Sequence, residues 1–120
     1  MIILGTYQLS PEQAYEITLA GLKIGYRWID TAELYKNSKM INQAIQDSQV
    51  PRNEIFLISK IRNIHLVFKH LNDFDYVDCL LLHFPKKDYV NDWKALIKIQ
   101  QQFPHKINCI GVSNFDTSHL

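Results

Sequence analysis

The sequence has few glycines, few cysteines and no long apolar segment, and these shortages narrow the classes of protein to consider. Cys79 and Cys109 are the two cysteines, and both lie inside apolar runs. Free thiols in such runs behave as small hydrophobic side chains, so we expect neither a disulfide nor a nucleophilic cysteine. The apolar run at the N-terminus is short and has no basic flank, so we expect neither a signal peptide nor a membrane span. The protein is therefore expected to be cytoplasmic, with no membrane partner.

Neither sign of charge is in excess. Lysine and arginine number 13 against 12 aspartates and glutamates, which leaves a formal net charge of +1. Such a balance gives no extended basic face for phosphate neutralisation, so we expect no nucleic-acid partner. Four histidines, His65, His70, His105 and His119, lack the spacing of metal ligands. We expect these four side chains at the surface and predict no metal site.

Short apolar runs of strand length alternate with stretches in which apolar residues recur three and four positions apart, as on a helix. The predicted strands cover residues 1–4, 26–29, 55–59, 77–82 and 108–112. The predicted helices cover residues 11–24, a segment from about 37 to the turn before Pro51, a weaker segment around 66–71, and 91–102. At 120 residues the chain forms one domain with the order βαβαβαβαβ.

The start of the first helix has a clear signal. Ser10 is a suitable N-cap, Pro11 occupies the first helical position, and Gln13 completes a capping box. The spacing predicts that Ala14, Ile17 and Gly21 lie on its buried side.

Alternating strands and helices predict an α/β fold with a parallel sheet and helices outside it, either doubly wound or part of a barrel. A dinucleotide-binding doubly wound sheet needs a glycine-rich turn after its first strand, and LGTYQLS offers one glycine. Polar residues end four successive apolar runs: Asp30, Lys60, His83, and Ser113 with Asn114. In a (β/α)8 barrel the carboxyl ends of the strands form the active-site face, so this pattern favours the barrel.

Four of these side chains are candidates for an acid catalyst. Tyr35 follows Asp30 by five residues, and a phenol with an ordinary pKa near 10 needs a cation nearby to donate its proton easily. Lys60 is the candidate cation, and Asp30 on the adjacent strand would fix its ammonium group. His83 would hydrogen-bond a substrate carbonyl and orient it toward Tyr35.

Five stretches, GTYQLS, GYRWIDTAELYKN, IFLISK, DYVDCLLLHFP and IGVSNF, resemble in order the signature segments of the aldo-keto reductase family. The resemblance implies an NADPH-dependent TIM-barrel enzyme that reduces aldehydes or ketones to alcohols. It implies that Asp30, Tyr35, Lys60 and His83 are the catalytic tetrad, with Tyr35 as general acid. It also implies that Gly5, Thr6, Asp30, Ser113 and Asn114 bind the cofactor, the last two through the nicotinamide carboxamide.

A complete (β/α)8 barrel needs about 250 residues, so the chain corresponds to a truncated half-barrel, from the first strand to the fifth. The resemblance places the groups that grip the cofactor phosphates beyond this half, so we expect weak NADPH binding. Two interpretations stay open: an enzyme completed by a second copy or a partner chain over the open edges, or an inactive remnant or interaction module. The segment between Lys60 and His83 is short for the family, so the resemblance does not predict the substrate.

Overall fold

The computed structural model of the chain describes residues 3–119. Its strands are β1 (Ile3–Gly5), β2 (Trp28–Asp30), β3 (Phe56–Ile61), β4 (Val77–Leu82) and β5 (Ile107–Val112). Its α-helices are α1 (Pro11–Ile24), α2 (Ser38–Ser48), α3 (Val67–Leu71) and α4 (Tyr89–Gln102). All strand pairs are parallel, and the sheet order β1-β2-β3-β4-β5 follows the chain. The predicted alternation and the half-barrel architecture are confirmed.

The ends of α1 show why the sequence begins and ends a helix there. Ser10 accepts a hydrogen bond from the backbone N–H of Gln13, and the Gln13 side chain accepts one from the N–H of Ser10. This capping box satisfies two N–H groups that the first helical turn leaves without partners. At the other end Gly25 has φ +114°, a left-handed conformation that favours glycine and ends the helix.

The two faces of the sheet differ in burial. On the face that the helices cover, the side chains pack into a continuous core that includes Leu4, Ile29, Leu57, Leu80 and Leu82. Alternate residues of a strand point to opposite faces, so the neighbours of these residues lie on the other face. There Ile3 is 46% exposed and Cys109 is also exposed. The helix side of the half-barrel is therefore packed, while the side that would face a barrel interior stays open.

Two details of the sequence prediction need correction. Ile17 is 44% exposed, and the buried side of α1 is instead formed by Ala14, Thr18, Gly21 and Leu22. The prediction considered apolar residues only, so it omitted the polar Thr18. The predicted buried side was therefore rotated about the helix axis by about one residue. The second strand begins at Trp28, two residues later than predicted. The part of the first predicted strand at residues 1–2 lies outside the described residues.

None of the helices in residues 3–119 is both long and apolar enough to cross a bilayer. Cys79 on β4 and Cys109 on β5 lie opposite each other in the parallel pairing, and both are free thiols. Burial raises the pKa of the Cys79 thiol to about 12, with a further contribution from Cys109. Neither cysteine is fully buried, although both lie in apolar runs.

Candidate active site

The carboxyl ends of the parallel strands bring the predicted catalytic residues to one rim of the sheet. Asp30 is the last residue of β2, Lys60 is the fifth of six in β3, and His83 follows β4 directly. Tyr35 ends a short 3-10 turn, Glu33–Tyr35, between β2 and α2. Parallel pairing of three adjacent strands thus places residues far apart in sequence on the same side of the molecule.

Lys60 and Asp30 form an ion pair across β2 and β3. The Lys60 Nζ donates a hydrogen bond to the Asp30 Oδ1. The Lys60 side chain is 7% exposed, whereas that of Asp30 is 40% exposed. The ammonium group therefore lies in a largely dry environment, with a partly hydrated carboxylate as its counterion. Because the ammonium group is buried, loss of the Asp30 carboxylate would leave its charge uncompensated.

Tyr35 lies close to both this ion pair and His83. The Lys60 Nζ is 5.5 Å from the centroid of the Tyr35 ring. The imidazole of His83 meets that ring edge-on, with centroids 6.0 Å apart, and Tyr7 lies 5.4 Å away on another side. A carboxylate, an ammonium, a phenol and an imidazole are thus brought together in one cluster, as the sequence analysis predicted.

The pKa of the Tyr35 phenol is raised above its ordinary value. Burial is the largest cause, followed by the carboxylate of Asp30 and then by Tyr7. This direction is opposite to the acidification that the sequence hypothesis assigned to Lys60. The reason is physical: Asp30 neutralises the ammonium group, and partial burial disfavours the phenolate. Tyr35 is consequently a neutral phenol at pH 7, with its proton in place.

The pKa of His83 is lowered. Burial, Lys60 and Arg62 all disfavour its cation, and they outweigh the opposing effect of Asp30. Its imidazole is therefore neutral at pH 7, because the ordinary pKa of histidine is already below 7. The Nδ1 atom is buried and has no hydrogen-bond partner among residues 3–119. The backbone is well fixed: His83 N donates to Ile61 O over 3.0 Å.

Of the predicted cofactor residues, Gly5 ends the edge strand β1 and Thr6 follows it, at the same rim as Asp30. Thr6 is buried, and both its N–H and its hydroxyl donate to the backbone oxygen of Asp30, over 3.2 and 2.9 Å. A Cβ placed on Gly5 would meet no atom within 4 Å, so the space beside β1 is open. Gly5 thus leaves room for a ligand, while Thr6 holds the strand end in position.

Ser113 and Asn114 follow β5 at the opposite edge. Asn114 has φ +62°, and its Nδ2 donates to the His83 backbone oxygen over 2.9 Å and lies 3.2 Å from the Ser113 hydroxyl. The left-handed turn therefore joins the end of β5 to the residue after β4. A hydroxyl and a side-chain amide are left side by side at the rim, which suits recognition of a planar amide.

Asn37 is a site-organising residue that the sequence analysis missed. Its side chain is buried, and its Nδ2 donates to the backbone oxygens of Thr6 and Leu9 over 3.1 and 3.4 Å. Its Oδ1 accepts from the Thr31 hydroxyl over 3.3 Å. Asn37 therefore joins the loop after β1, the end of β2 and the start of α2. The one indication of this role in the sequence is a polar residue just before a helix. That position also fits an ordinary N-cap, but the Asn37 side chain makes no capping hydrogen bond.

The prediction that His70 lies at the surface is wrong. His70 is 4% exposed, and its Nε2 is 2.5 Å from the hydroxyl of the fully buried Ser59. Burial lowers the pKa of His70 to about 4, against a smaller opposing effect of Asp73. The hydroxyl supplies the hydrogen-bond partner that a buried neutral imidazole needs. His65 and His105 are exposed, as predicted, and His119 is half-buried.

Parallel strands with alternating helices, and a polar cluster at the carboxyl ends of the strands, define one half of a (β/α)8 barrel with a candidate active site. The sequence model of the Aldo/keto reductase family matches residues 1–120. The chain belongs to this family.

Similar proteins agree in sequence and in structure. The glyoxal reductase of Bacillus subtilis strain 168 is 39% identical over 129 residues, which cover 98% of this chain and 46% of the relative. The methylglyoxal reductase DkgA of Escherichia coli strain K12 is 34% identical over 128 residues, with 98% and 46% coverage. A crystal structure of an aldo/keto reductase from Brucella melitensis superposes with a TM-score of 0.88 at 36% identity, covering 98% of this chain and 50% of that one. The chain spans about half the length of the curated relatives it matches.

Proposed function

We propose that this chain carries the acid-base half of an NADPH-dependent carbonyl reductase, which converts a small aldehyde or ketone to an alcohol in the cytoplasm. The observation that supports the proposal most directly is the convergence of Tyr35, Lys60 and His83 at one rim, with Asp30 paired to the ammonium group. Glyoxal and methylglyoxal, which name the activities of two relatives, are the first substrates to test.

Each side chain has a distinct task in this proposal. Neutral His83 donates a hydrogen bond to the substrate carbonyl oxygen and directs it toward the Tyr35 phenol. Tyr35 donates its proton as negative charge develops on that oxygen. A raised phenol pKa is compatible with this step, because an alkoxide is a far stronger base than a phenolate. Lys60 then stabilises the phenolate, and Asp30 keeps the ammonium group in place.

The residues at the rim fit a nicotinamide cofactor. Ser113 and Asn114 present a hydroxyl and an amide that match the carboxamide group, and Gly5 leaves open space beside β1. Thr6 and Asp30, tied together by their hydrogen bonds, would line the same side. NADPH, when bound, supplies the hydride. Because these contacts reach only the nicotinamide end, we expect the isolated chain to bind NADPH weakly.

The open face of the sheet supports a second part of the proposal. Ile3 on β1 and Cys109 on β5 are exposed on this face, and in the described residues both edge strands pair on one side only. Exposed apolar surface and unpaired strand edges favour association. A second copy of the chain, or a different partner chain, would cover them. Light scattering with and without NADPH tests this, since a completed barrel has at least twice the mass of a single chain.

The acid assignment is tested with a pair of tyrosine variants. Tyr35→Phe should lower kcat for methylglyoxal at least a hundredfold, because it removes the proton donor. It should leave NADPH affinity, measured by fluorescence titration, within about twofold. Tyr76→Phe is the matched control, because Tyr76 immediately precedes β4 at the other end of the sheet. Full activity in Tyr35→Phe would rule out the phenol as the acid.

A non-catalytic interaction module is the second candidate, and the open sheet face is the observation that favours it. The two candidates differ in their response to cofactor. A reductase shows saturable NADPH binding within the millimolar range and turns over the aldehyde. An interaction module forms a stable complex with another chain and shows no cofactor effect on that complex.

A further inference from the structure

A cleft of about 950 Å³ lies between the start of α2 and the segment that joins β3 to α3. Four cationic side chains line it: Lys36, Lys39, Arg62 and Lys69. All four residues are exposed, so they are free to reach a ligand in the cleft. These residues are separate from those that the resemblance assigns to the cofactor. The cleft is therefore a feature that the reductase proposal does not use.

The charges in the cleft are not balanced. Among the described residues that line the cleft, the carboxylates are Glu33 and Asp73, so four cations leave a net charge of +2 there, more than the +1 of the entire chain. The salt bridges that lysine and arginine form within residues 3–119 use Arg52 and Lys60 instead. Like charges held close together repel one another, so an anion that binds between them relieves an existing cost.

The neighbouring polar groups add no further negative charge to the cleft. Asp73 accepts a hydrogen bond from the Ser38 hydroxyl over 2.5 Å, which occupies one of its oxygens. His70, which lines the same cleft, is buried among its neighbours and bonded to Ser59. The first turn of α2 contains no acidic residue. Among the described residues that line the cleft, Glu33 and Asp73 are therefore the groups that offset the charge of the lysines and the arginine.

We propose that this cleft is a binding site for a phosphate group carried by a small molecule. A phosphate dianion matches the net charge of the cleft, and its terminal oxygens accept hydrogen bonds from several donors at once. The planar guanidinium of Arg62 suits two of those oxygens, while the lysine ammonium groups supply point charges around them. The phosphate comes either from a phosphorylated metabolite or from the nucleotide cofactor, and the experiment separates these sources.

The experiment follows backbone amide shifts of the full 15N-labelled chain by NMR during titration with inorganic phosphate, at ionic strength held constant with sodium chloride. Saturable shifts are expected at amides in residues 33–40 and 62–73. At a separation of roughly 6 Å in screened solvent, each cation contributes about a threefold to tenfold change in affinity. The double variant Arg62→Gln with Lys69→Gln should therefore weaken phosphate binding at least tenfold, and Glu33→Gln should strengthen it.

The matched control is the double variant Lys94→Gln with Lys98→Gln, which removes two exposed cations from α4, outside the cleft. This control should bind phosphate within about twofold of the unmodified chain. Parallel titrations with NADPH and NADH identify the source: cleft shifts with NADPH alone point to the cofactor phosphate, and shifts with neither point to a separate metabolite. Shifts that do not saturate, or equal losses in the two double variants, would overturn the proposal whether or not the chain is a reductase.

Discussion

Replacing Asp30 with asparagine isolates the role of the ion pair, because the change removes one charge and keeps the shape of the side chain. In the unmodified chain the Lys60 side chain is 7% exposed, and its ammonium group donates to the Asp30 carboxylate. In Asp30→Asn the ammonium group stays in the same dry position without a counterion. We therefore expect the variant to fold less stably and to change the titration of its neighbours.

The expected loss of stability follows from the exposure of the two partners. Removing one member of a fully buried ion pair costs about 3–5 kcal/mol. Asp30 is 40% exposed, so water already weakens its attraction for Lys60, and we expect a loss of about 2 kcal/mol. With a urea dependence of about 1.5 kcal/mol/M, the unfolding midpoint falls by roughly 1.3 M. Asp75→Asn, at an exposed position, is the control and should stay within about 0.5 kcal/mol of the unmodified chain.

The second result concerns the tyrosine and histidine pKa values. Asp30 raises the pKa of both Tyr35 and His83, so both pKa values should fall in Asp30→Asn. Ultraviolet titration of the phenol and NMR titration of the imidazole measure the two shifts. The reasoning would be refuted if Asp30→Asn were as stable as Asp75→Asn, or if the pKa of Tyr35 stayed the same or rose.

Two further substitutions test buried polar residues around the site. The pKa of His70 is about 4 in the folded chain, below its ordinary value of 6.5. Between pH 6.5 and 4 the unfolded chain therefore binds a proton that the folded chain does not. The free energy of unfolding decreases as pH falls through that range. From pH 7 to pH 5, the free energy of unfolding of the unmodified chain and of the exposed control His65→Gln should fall by about 2 kcal/mol more than that of His70→Gln, as measured by urea unfolding. Equal losses in all three proteins would contradict the lowered pKa of His70. Asn37→Ala removes hydrogen bonds to Thr6 and two other groups and should cost about 2 kcal/mol, whereas the exposed control Asn53→Ala should cost little. Similar unfolding midpoints for the two asparagine variants would show that these bonds do not stabilise the fold.

The sequence was sufficient for the order of elements and for the rim that collects the polar residues. Strand β4, nearly all apolar, and the capping box at Ser10 each have a short-range pattern with one strong interpretation. A parallel sheet then determines where the polar residues lie, since the carboxyl ends of parallel strands share one edge. The sequence alone therefore predicts that Asp30, Lys60 and His83 lie together.

The sequence was not sufficient where long-range burial decides the chemistry. The phenol pKa of Tyr35 depends on how completely Asp30 neutralises Lys60 and on how much of the ring is covered. The positions of Asn37 and His70 depend on contacts with residues 31 and 11 positions away, respectively. No local pattern predicts such contacts, so the sequence analysis placed His70 at the surface and did not single out the buried Asn37.

The two parts of the candidate site differ in how much support the half-barrel gives them. Asp30, Lys60 and His83 come from β2, β3 and β4, and each of these strands pairs with a neighbour on both sides. Apart from Asp30, the predicted cofactor residues instead lie at the ends of β1 and β5, each of which pairs on one side only within the described residues. Strand ends at an open edge fray more easily than those inside a sheet, since fewer hydrogen bonds must break. The cluster of Asp30, Lys60 and His83 is therefore assembled by this chain alone, whereas we propose that firm cofactor binding requires that the open edges be covered.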